Sequence, residues 1–205
     1  LMFNPIKQAV ISLGGKGSRL KSISKDIPKP LFPINGLSCL ERAIENLSIQ
    51  GVKEYIWLLG FKSNLFLDNI ERLSKKYDVN IRYYIENLPL GDCGGLLKVL
   101  DILNKDFLFI SGDIIFNFDL ERMNYFHIKN KSDITLCTHT TSHPEDSDCI
   151  VESPSLKVAL YSHKKDKLKK PFAFLGNAGI VILSKKVILK IAKITNLGKY
   201  ELSLF

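Results

Sequence analysis

The chain has 205 residues, 45% hydrophobic and 24% charged, with 29 Lys and Arg against 21 Asp and Glu for a formal net charge of +8. That length supports one large domain, or one with a small appendage, around a real core, and the composition excludes a disordered or fibrous chain. No apolar run approaches the ~18 residues that a transmembrane helix needs.

The basic excess would suit a nucleic acid, but the lysines are dispersed. Their one cluster, His163-Lys164-Lys165-Asp166-Lys167-Leu168-Lys169-Lys170, has no interleaved aromatic residues on which bases could stack. It reads as a solvated loop, or as the source of a Lys164 or Lys165 that reaches a phosphorylated substrate. Cys39, Cys93, Cys137 and Cys149 form no C-x-x-C pair, so neither a zinc site nor a disulfide framework is expected. Reduced thiols in the cytoplasm are the simplest account. Leu1-Met2-Phe3-Asn4-Pro5 lacks the charged and apolar regions of a signal peptide. Leu1 ahead of Met2 suggests an added residue or an excised fragment.

In chain order, residues 8–13 are a buried-strand run that empties into Leu13-Gly14-Gly15-Lys16-Gly17-Ser18-Arg19-Leu20. Glycines without a Cβ let backbone N–H groups close around a phosphate chain. Arg19, and Lys29 in Pro28-Lys29-Pro30-Leu31, add positive charge beside that cradle, which suits a nucleoside triphosphate. A helix is predicted over 39–50, with Ser38 as N-cap, Glu41 as its capping-box partner and Gly51 as terminator. Strand 55–59, helix 65–76 and strand 81–85 follow. Leu90-Gly91-Asp92 leads into a helix over 93–103. The apolar strand 107–110 ends in Ser111-Gly112-Asp113, and Asp119 caps a helix over 120–129. Strands 134–138, 149–152, 158–162 and 179–183 come next, and a helix over 185–193 is last. The alternation builds a layered α/β domain, with the later strands extending the same sheet. No linker, repeat or low-complexity segment interrupts it.

The glycine motif is not a P-loop, which requires Gly-Lys-Ser/Thr after four intervening residues. Nor is it the dinucleotide fingerprint, because Leu20 stands where the third glycine belongs. Together with Pro28-Lys29-Pro30-Leu31 it resembles the signature of the sugar-1-phosphate nucleotidyltransferases: Gly-Gly-x-Gly-Ser/Thr-Arg-Leu, a short spacer, then Pro-Lys-Pro-Leu/Met. Glu86-Asn87-Leu88-Pro89-Leu90-Gly91-Asp92-Cys93-Gly94-Gly95 is similar to a second motif of that family, with Asp92 and Cys93 in place of its usual small residues. Asn177-Ala178-Gly179-Ile180 resembles a third, on the strand that faces the sugar. Ser142-His143-Pro144-Glu145-Asp146-Ser147-Asp148 is similar to a stretch in the branch near heptose-1-phosphate and mannose-1-phosphate guanylyltransferases. A Ser-His-Asp hydrolase reading of that stretch fails, since adjacent residues rarely make a triad and no nucleophile elbow is present.

The resemblance implies a single doubly wound, Rossmann-like α/β domain over residues 1–205, with a mixed, mostly parallel sheet and no second domain. It implies Mg²⁺ as cofactor and a nucleoside triphosphate and a sugar 1-phosphate as substrates, giving a nucleotide-sugar for polysaccharide synthesis in the cytoplasm, without nucleic acid or membrane. A homo-oligomer and a fused or partner phosphatase domain stay open. In residues, it implies catalytic roles for Arg19, Lys29 and Asp113, with Asp113 on the metal. Leu13, Gly14, Gly15, Lys16, Gly17, Ser18, Glu86 and Gly91 would hold the nucleotide. Lys164, Asn177 and Gly179 would hold the sugar phosphate. Where relatives carry Glu-Lys-Pro this chain has Ser162-His163-Lys164, which leaves the Glu role unfilled. The family's second metal-binding Asp, after the final helix, is also missing before Phe205, so the domain is expected either to be cut short at its C-terminal end or to lack that residue.

Glu86 bears on the base. An ionised carboxylate only accepts hydrogen bonds, and guanine offers it two adjacent donors, N1–H and the 2-amino group. This predicts GTP over UTP or dTTP, with CTP the main alternative. Two rivals remain at this stage. A nucleotide-sugar-dependent glycosyltransferase would be expected to carry Asp-x-Asp, where this chain has Asp113-Ile114-Ile115. A non-catalytic nucleotide-sugar-binding regulatory module would be supported by the missing carboxylate and opposed by the retention of Arg19, Lys29 and Asp113.

Overall fold

The computed structural model describes residues 4–15, 27–88, 90–163 and 175–194. Lys16, Gly17, Ser18, Arg19 and Lys164, and most of the lysine cluster, lie outside the described residues. The chain begins with β1 (Gln8–Leu13) and a small hairpin of β2 (Pro33–Ile34) and β3 (Leu37–Ser38). Next come α1 (Cys39–Ile49), β4 (Glu54–Leu59), α2 (Ser63–Leu67), α3 (Ile70–Tyr77), β5 (Asn80–Ile85), α4 (Gly91–Lys98) and β6 (Asp106–Ser111). It continues through α5 (Leu120–Lys129), β7 (Ile134–Thr140), β8 (Cys149–Glu152), β9 (Val158–Ser162), β10 (Leu175–Ser184) and α6 (Lys185–Ile194).

The main sheet runs β5-β4-β1-β6-β10-β8-β9, with β7 also paired to β10. β5, β4, β1 and β6 are mutually parallel. β10 is antiparallel to β6, β7 and β8, and β9 is antiparallel to β8. Only β10 and β9 therefore run against the other strands of this sheet among the described residues. Alternate strand positions feed two cores. Ile11, Tyr55, Trp57, Leu59 and Ile110 pack with Leu40, Ile44 and Leu47 of α1. Val10, Ile56, Leu58, Phe107 and Phe109 pack with Leu96 of α4 and Ile188 of α6. Helices on both faces of a sheet whose central strands β4, β1 and β6 are buried on both faces make the doubly wound, mixed-sheet α/β fold that the sequence predicts. No described helix is long and apolar enough to cross a membrane.

The topology fixes where a ligand belongs. The chain steps outward from β1 to β4 to β5, then returns to place β6 on β1's other side. Connections diverge at that switch point and open a crevice beyond the carboxyl ends of β1 and β6.

Several elements depart from expectation for local reasons. The predicted helix over 65–76 is two helices separated at Asp68-Asn69, residues whose side chains compete for backbone groups; the Asn69 amide donates to the Leu65 carbonyl at 3.0 Å. The predicted helix over 93–103 starts earlier, at Gly91, and stops at Lys98, and Leu100–Ile102 forms a separate 3-10 turn. β10 is twice the predicted strand because Gly176 to Gly179 carry no apolar alternation to mark it. Its register shifts between Asn177 and Val181, with Gly179 at φ +73°. The β2–β3 hairpin lacks a sequence prediction, although its Asn35-Gly36 turn, with φ +49° and +82°, is a strong hairpin signal.

Ser38 caps α1, its Oγ accepting from the Glu41 N–H at 3.2 Å. The Glu41 side chain does not complete a capping box. It turns to α3, where Arg72 donates to both its oxygens at 3.1 and 2.8 Å and Lys76 and Tyr77 donate to Oε1 at 2.9 and 3.2 Å. The Arg72 hydrogen bonds outweigh burial and, with Lys76, pull the carboxyl from 4.5 down to about 2. Three donors on α3 outcompete the single backbone N–H that a capping box offers.

Candidate active site

Strand β6 delivers Ser111, Gly112 and Asp113 to the crevice. The Gly112 N–H donates to the Ser12 carbonyl of β1 at 3.0 Å, carrying the pairing of the two strands to their ends. A Cβ at Gly112 would lie 2.3 Å from Leu13 Cδ2 and 3.0 Å from the Ser12 oxygen, so only glycine fits. Asp113 thus emerges next to Leu13, Gly14 and Gly15.

Lys29 arrives from a different direction. Pro28 and Pro30 frame a 3-10 turn over Lys29–Leu31, closed by the Leu31 N–H on the Pro28 carbonyl at 2.8 Å. Pro30 is buried, so the turn is pinned and Lys29 points back across the crevice. Its Nζ meets Asp113 Oδ2 at 2.8 Å, while Ser111 Oγ donates to Asp113 Oδ1 at 2.8 Å. Burial alone would raise the Asp113 carboxyl; the Lys29 and Ser111 hydrogen bonds more than reverse that and hold it below its ordinary range. Cys39, first in α1, lies beside the pair, and burial followed by the Asp113 charge pushes its thiol up.

Glu86 follows β5, with its N–H on the Leu59 carbonyl at 2.8 Å. Burial pushes its carboxyl up, partly countered by the backbone N–H of Leu90. A Cβ on Gly14 would sit 3.7 Å from Glu86 Oε2, and one on Gly95 only 2.3 Å from Oε1. Gly95 therefore makes room for the carboxylate itself. Gly60, after β4, packs against Gly14 so closely that a Cβ would lie 3.0 Å from its Cα. Gly91, at φ +77°, starts α4. Gly14, Glu86 and Gly95 form one wall of the crevice; Lys29 and Asp113 form another.

The third group lies on β10. The Asn177 side chain is engaged within the fold: Oδ1 accepts from the Gly179 N–H at 2.9 Å and Nδ2 donates to Tyr161 OH at 3.3 Å. Gly179 lies against Ser111, whose Cβ would be 3.4 Å from an added methyl. Tyr161 OH donates to Asp148 Oδ2 at 2.8 Å, and His163 Nδ1 lies 3.8 Å from Asp148 Oδ1. Sequence reading misses Ser111, Tyr161 and Asp148. Only the Ser-x-Asp spacing of Ser111 and Asp113 was visible, because β8, β9 and β10 bring the others together from far along the chain.

A model of the nucleotidyl transferase family matches residues 8–203. The chain belongs to the nucleotidyl transferase family. A mannose-1-phosphate guanyltransferase of Yarrowia lipolytica is 29% identical over 188 residues, covering 88% of this chain and 50% of that protein. A D-glycero-alpha-D-manno-heptose 1-phosphate guanylyltransferase of Campylobacter jejuni is 38% identical over 116 residues, covering 57% of this chain and 52% of that protein. The chain thus spans about half the length of these curated relatives. The solved structure of HddC from Yersinia pseudotuberculosis superposes with a TM-score of 0.77 at 27% identity, covering all of this chain and 85% of that one. HddC complexed with GMP-PN superposes at 0.72 and 28% identity, covering 91% and 79%. As a family member, the chain places its Lys29–Asp113 pair and its Gly14–Glu86 wall at the fold's switch point.

Among the described residues no three His, Cys, Asp or Glu side chains gather as a metal cage. Asp113 still fits Mg²⁺, which needs only one or two carboxylates when phosphate oxygens and water complete its shell. Asp113 is a hard oxygen donor, held ionised at the crevice.

Proposed function

We propose that this chain transfers a guanylyl group from GTP to a sugar 1-phosphate of the mannose or heptose type, releasing pyrophosphate. The observation that carries the reading is the Lys29–Asp113 pair at the ends of β1 and β6, beside the Gly14-Gly15 turn. The named activities of the yeast and Campylobacter relatives and the GMP-PN complex of HddC support it.

In this reaction an oxygen of the sugar phosphate attacks the α-phosphorus of GTP in line. The new O–Pα bond forms as the bond to the β-phosphate oxygen breaks, and pyrophosphate carries off the electron pair. The nucleophile is already an anion, so no general base is required. The protein's work is alignment and charge neutralisation. Lys29 moves its charge from Asp113 to the α-phosphate and the incoming sugar phosphate. Arg19 neutralises the departing pyrophosphate, and Lys16, Gly17 and Ser18 complete the cradle begun by Leu13, Gly14 and Gly15. Asp113 holds Mg²⁺, which when bound supplies positive charge to the triphosphate. Glu86, ionised, accepts from guanine N1–H and the 2-amino group. Lys164 takes the sugar's phosphate. Asn177 acts through its hold on Gly179, which keeps the β10 bulge open for the ring.

The test is pyrophosphate release from a panel of triphosphates and sugar 1-phosphates, with and without EDTA. Metal-dependent release with GTP and mannose or heptose 1-phosphate is expected. Release with no sugar phosphate present, or none with any pair, overturns the reading.

A further inference from the structure

Two adjoining cavities open at the end of the sheet away from Lys29 and Asp113. One, of about 540 Å³, lies among Lys7, Asn104, Lys105 and Asp106. The other, of about 620 Å³, lies among Lys105, Asp106, His127, Lys131, Ser184 and Lys185. They share Lys105, Asp106 and Ile128, and so form one depression with the volume of a small-molecule site. β6 separates it from the crevice: from Asp106 to Ser111 is on the order of 17 Å at ~3.3 Å per residue.

The charge around this depression is unbalanced. Lys7, Lys105, Lys131, Lys185 and Lys186 line it. Lys186 is paired with Asp133, and Lys185 Nζ donates to the Leu103 carbonyl at 3.2 Å. Lys7, Lys105 and Lys131 have no carboxylate partner among the described residues. Lys185 and Lys186 also open α6, whose first turn holds no acidic residue and whose dipole disfavours cations there. Positive charges converging on a concave surface focus an attractive potential for an anion.

The floor is built differently. Asp106 Oδ1 accepts from Ser184 Oγ, and His127 Nε2 lies 3.7 Å away. His127 Nδ1 is 2.8 Å from Thr135 Oγ1, and His127 is buried. This network fixes the Asp106 carboxylate in the middle of the lysines, where it would repel a bare anion but accept hydroxyl groups. Asn104 adds a further polar side chain. Among the described residues no Phe, Tyr or Trp lines either cavity, so none of them offers a nucleobase a ring to stack on.

We propose that this depression binds a phosphorylated sugar, its phosphate on Lys105 and Lys131 and its hydroxyls on Asp106 and Asn104. The site is separate from the crevice and does not rest on the reaction proposed above. The probe is glucose 6-phosphate, which has no anomeric phosphate, titrated into the whole chain while backbone amide NMR shifts are followed. Saturable shifts are expected at Asn104, Lys105, Asp106, Lys131, Ser132 and Lys185. The double variant Lys105→Ala/Lys131→Ala, shown folded by circular dichroism, should bind ~10-fold or more weakly, the scale of lost charged hydrogen bonds. Lys29→Ala should bind as the parent does. Shifts confined to residues around Gly14 and Asp113, or affinity unchanged in the double variant, overturn the site. Inorganic phosphate binding as tightly as glucose 6-phosphate overturns the sugar component.

Discussion

The two halves of the sheet solve different problems. Within the parallel half, β5-β4-β1-β6, the strands β4, β1 and β6 are buried on both faces, with Ala9, Val10, Ile11, Tyr55, Ile56 and Trp57 fully enclosed, while edge strand β5 is partly exposed. Its rigid strands end in charges: Lys29 reaches Asp113, and Glu86 stands beside Gly14. The antiparallel half is looser. Val158 and Leu160 of edge strand β9 are exposed, and β10 breaks register at Gly179. Its polar groups are an amide, a hydroxyl and a carboxylate tied to one another, Asn177 to Tyr161 and Tyr161 to Asp148. In the proposed reaction the buried strands would position charge for a triphosphate, and the bulged, bonded strand would shape a surface for a neutral ring. Substitutions in the two halves should therefore fail in different ways.

The largest effect belongs to the charged side of that contrast. Lys29→Ala and Asp113→Asn should each lower turnover by ~10²-fold or more, the scale seen when a charge-stabilising donor is lost. Stability should change little, because the pair is about two-fifths exposed and exposed pairs contribute at most ~1 kcal/mol. Pyrophosphate release and thermal melting check both statements. Turnover within a factor of a few of the parent in both variants would remove the phosphate role of this half.

Next is base selection, which belongs to the same half but to its buried wall. Glu86→Gln should erode the preference for GTP over UTP by about 1–3 kcal/mol, the worth of a hydrogen bond to a charged group. The raised carboxyl adds a pH signature. Burial disfavours the ionised form, and ionisation is what guanine needs. The GTP preference should therefore fall as pH drops through a value above the ordinary carboxylate range, and Glu86→Gln should flatten that dependence. A GTP/UTP ratio constant across pH in the parent chain would sink the assignment.

The same contrast decided what was legible in the sequence. Strand 107–110 and the Ser111-Gly112-Asp113 exit were plain because Phe107 to Ile110 is an unbroken apolar run that ends in a glycine turn. So were the N-caps Ser38 and Asp119, the latter accepting from the Arg122 N–H at 2.9 Å, since capping is a local bond. Family membership was legible too, since Gly14 to Leu31 carries it in one stretch. The Glu41 side chain was misassigned because its partners, Arg72 and Lys76, lie on another helix, and a local motif is silent about long-range competitors. The Lys29–Asp113 contact joins residues far apart in sequence; the resemblance named both residues, but only the fold shows that they meet. The Asn177–Tyr161–Asp148 chain had no signal, because strand register is invisible until the strands pair.

Glu41 also supplies a control outside the crevice. Its carboxyl lies at about 2 against an ordinary 4.5. A depressed acid stabilises the fold fully above the ordinary value and loses that contribution as pH falls through the folded one. Glu41→Gln should cost about 1–2 kcal/mol near neutrality, reduced from a fully buried pair because Arg72 and Lys76 are half exposed. Urea unfolding should show the penalty shrinking as pH falls from about 4.5 toward 2. Turnover of the folded protein should not change. A penalty that is the same at every pH would mean that packing, not charge, is what Glu41 contributes.

The smallest effect is expected on β10, and it tests the antiparallel side directly. Asn177 accepts from the Gly179 N–H and donates to Tyr161 OH, so Asn177→Ala removes two neutral hydrogen bonds, each worth ~1 kcal/mol. The Gly179 N–H is half-buried and would be left to find water, so the bulge should loosen while the strand survives. If the bulge shapes the sugar surface, KM for the sugar 1-phosphate should rise up to ~10-fold, with KM for GTP unchanged. Asn177→Asp separates the two bonds, keeping an acceptor for Gly179 and losing the donor to Tyr161. It should recover most of the affinity if the Gly179 contact is what matters. A rise in KM for both substrates would tie β10 to the nucleotide half after all. No change in either would mean that Gly179 holds its backbone conformation without help from Asn177.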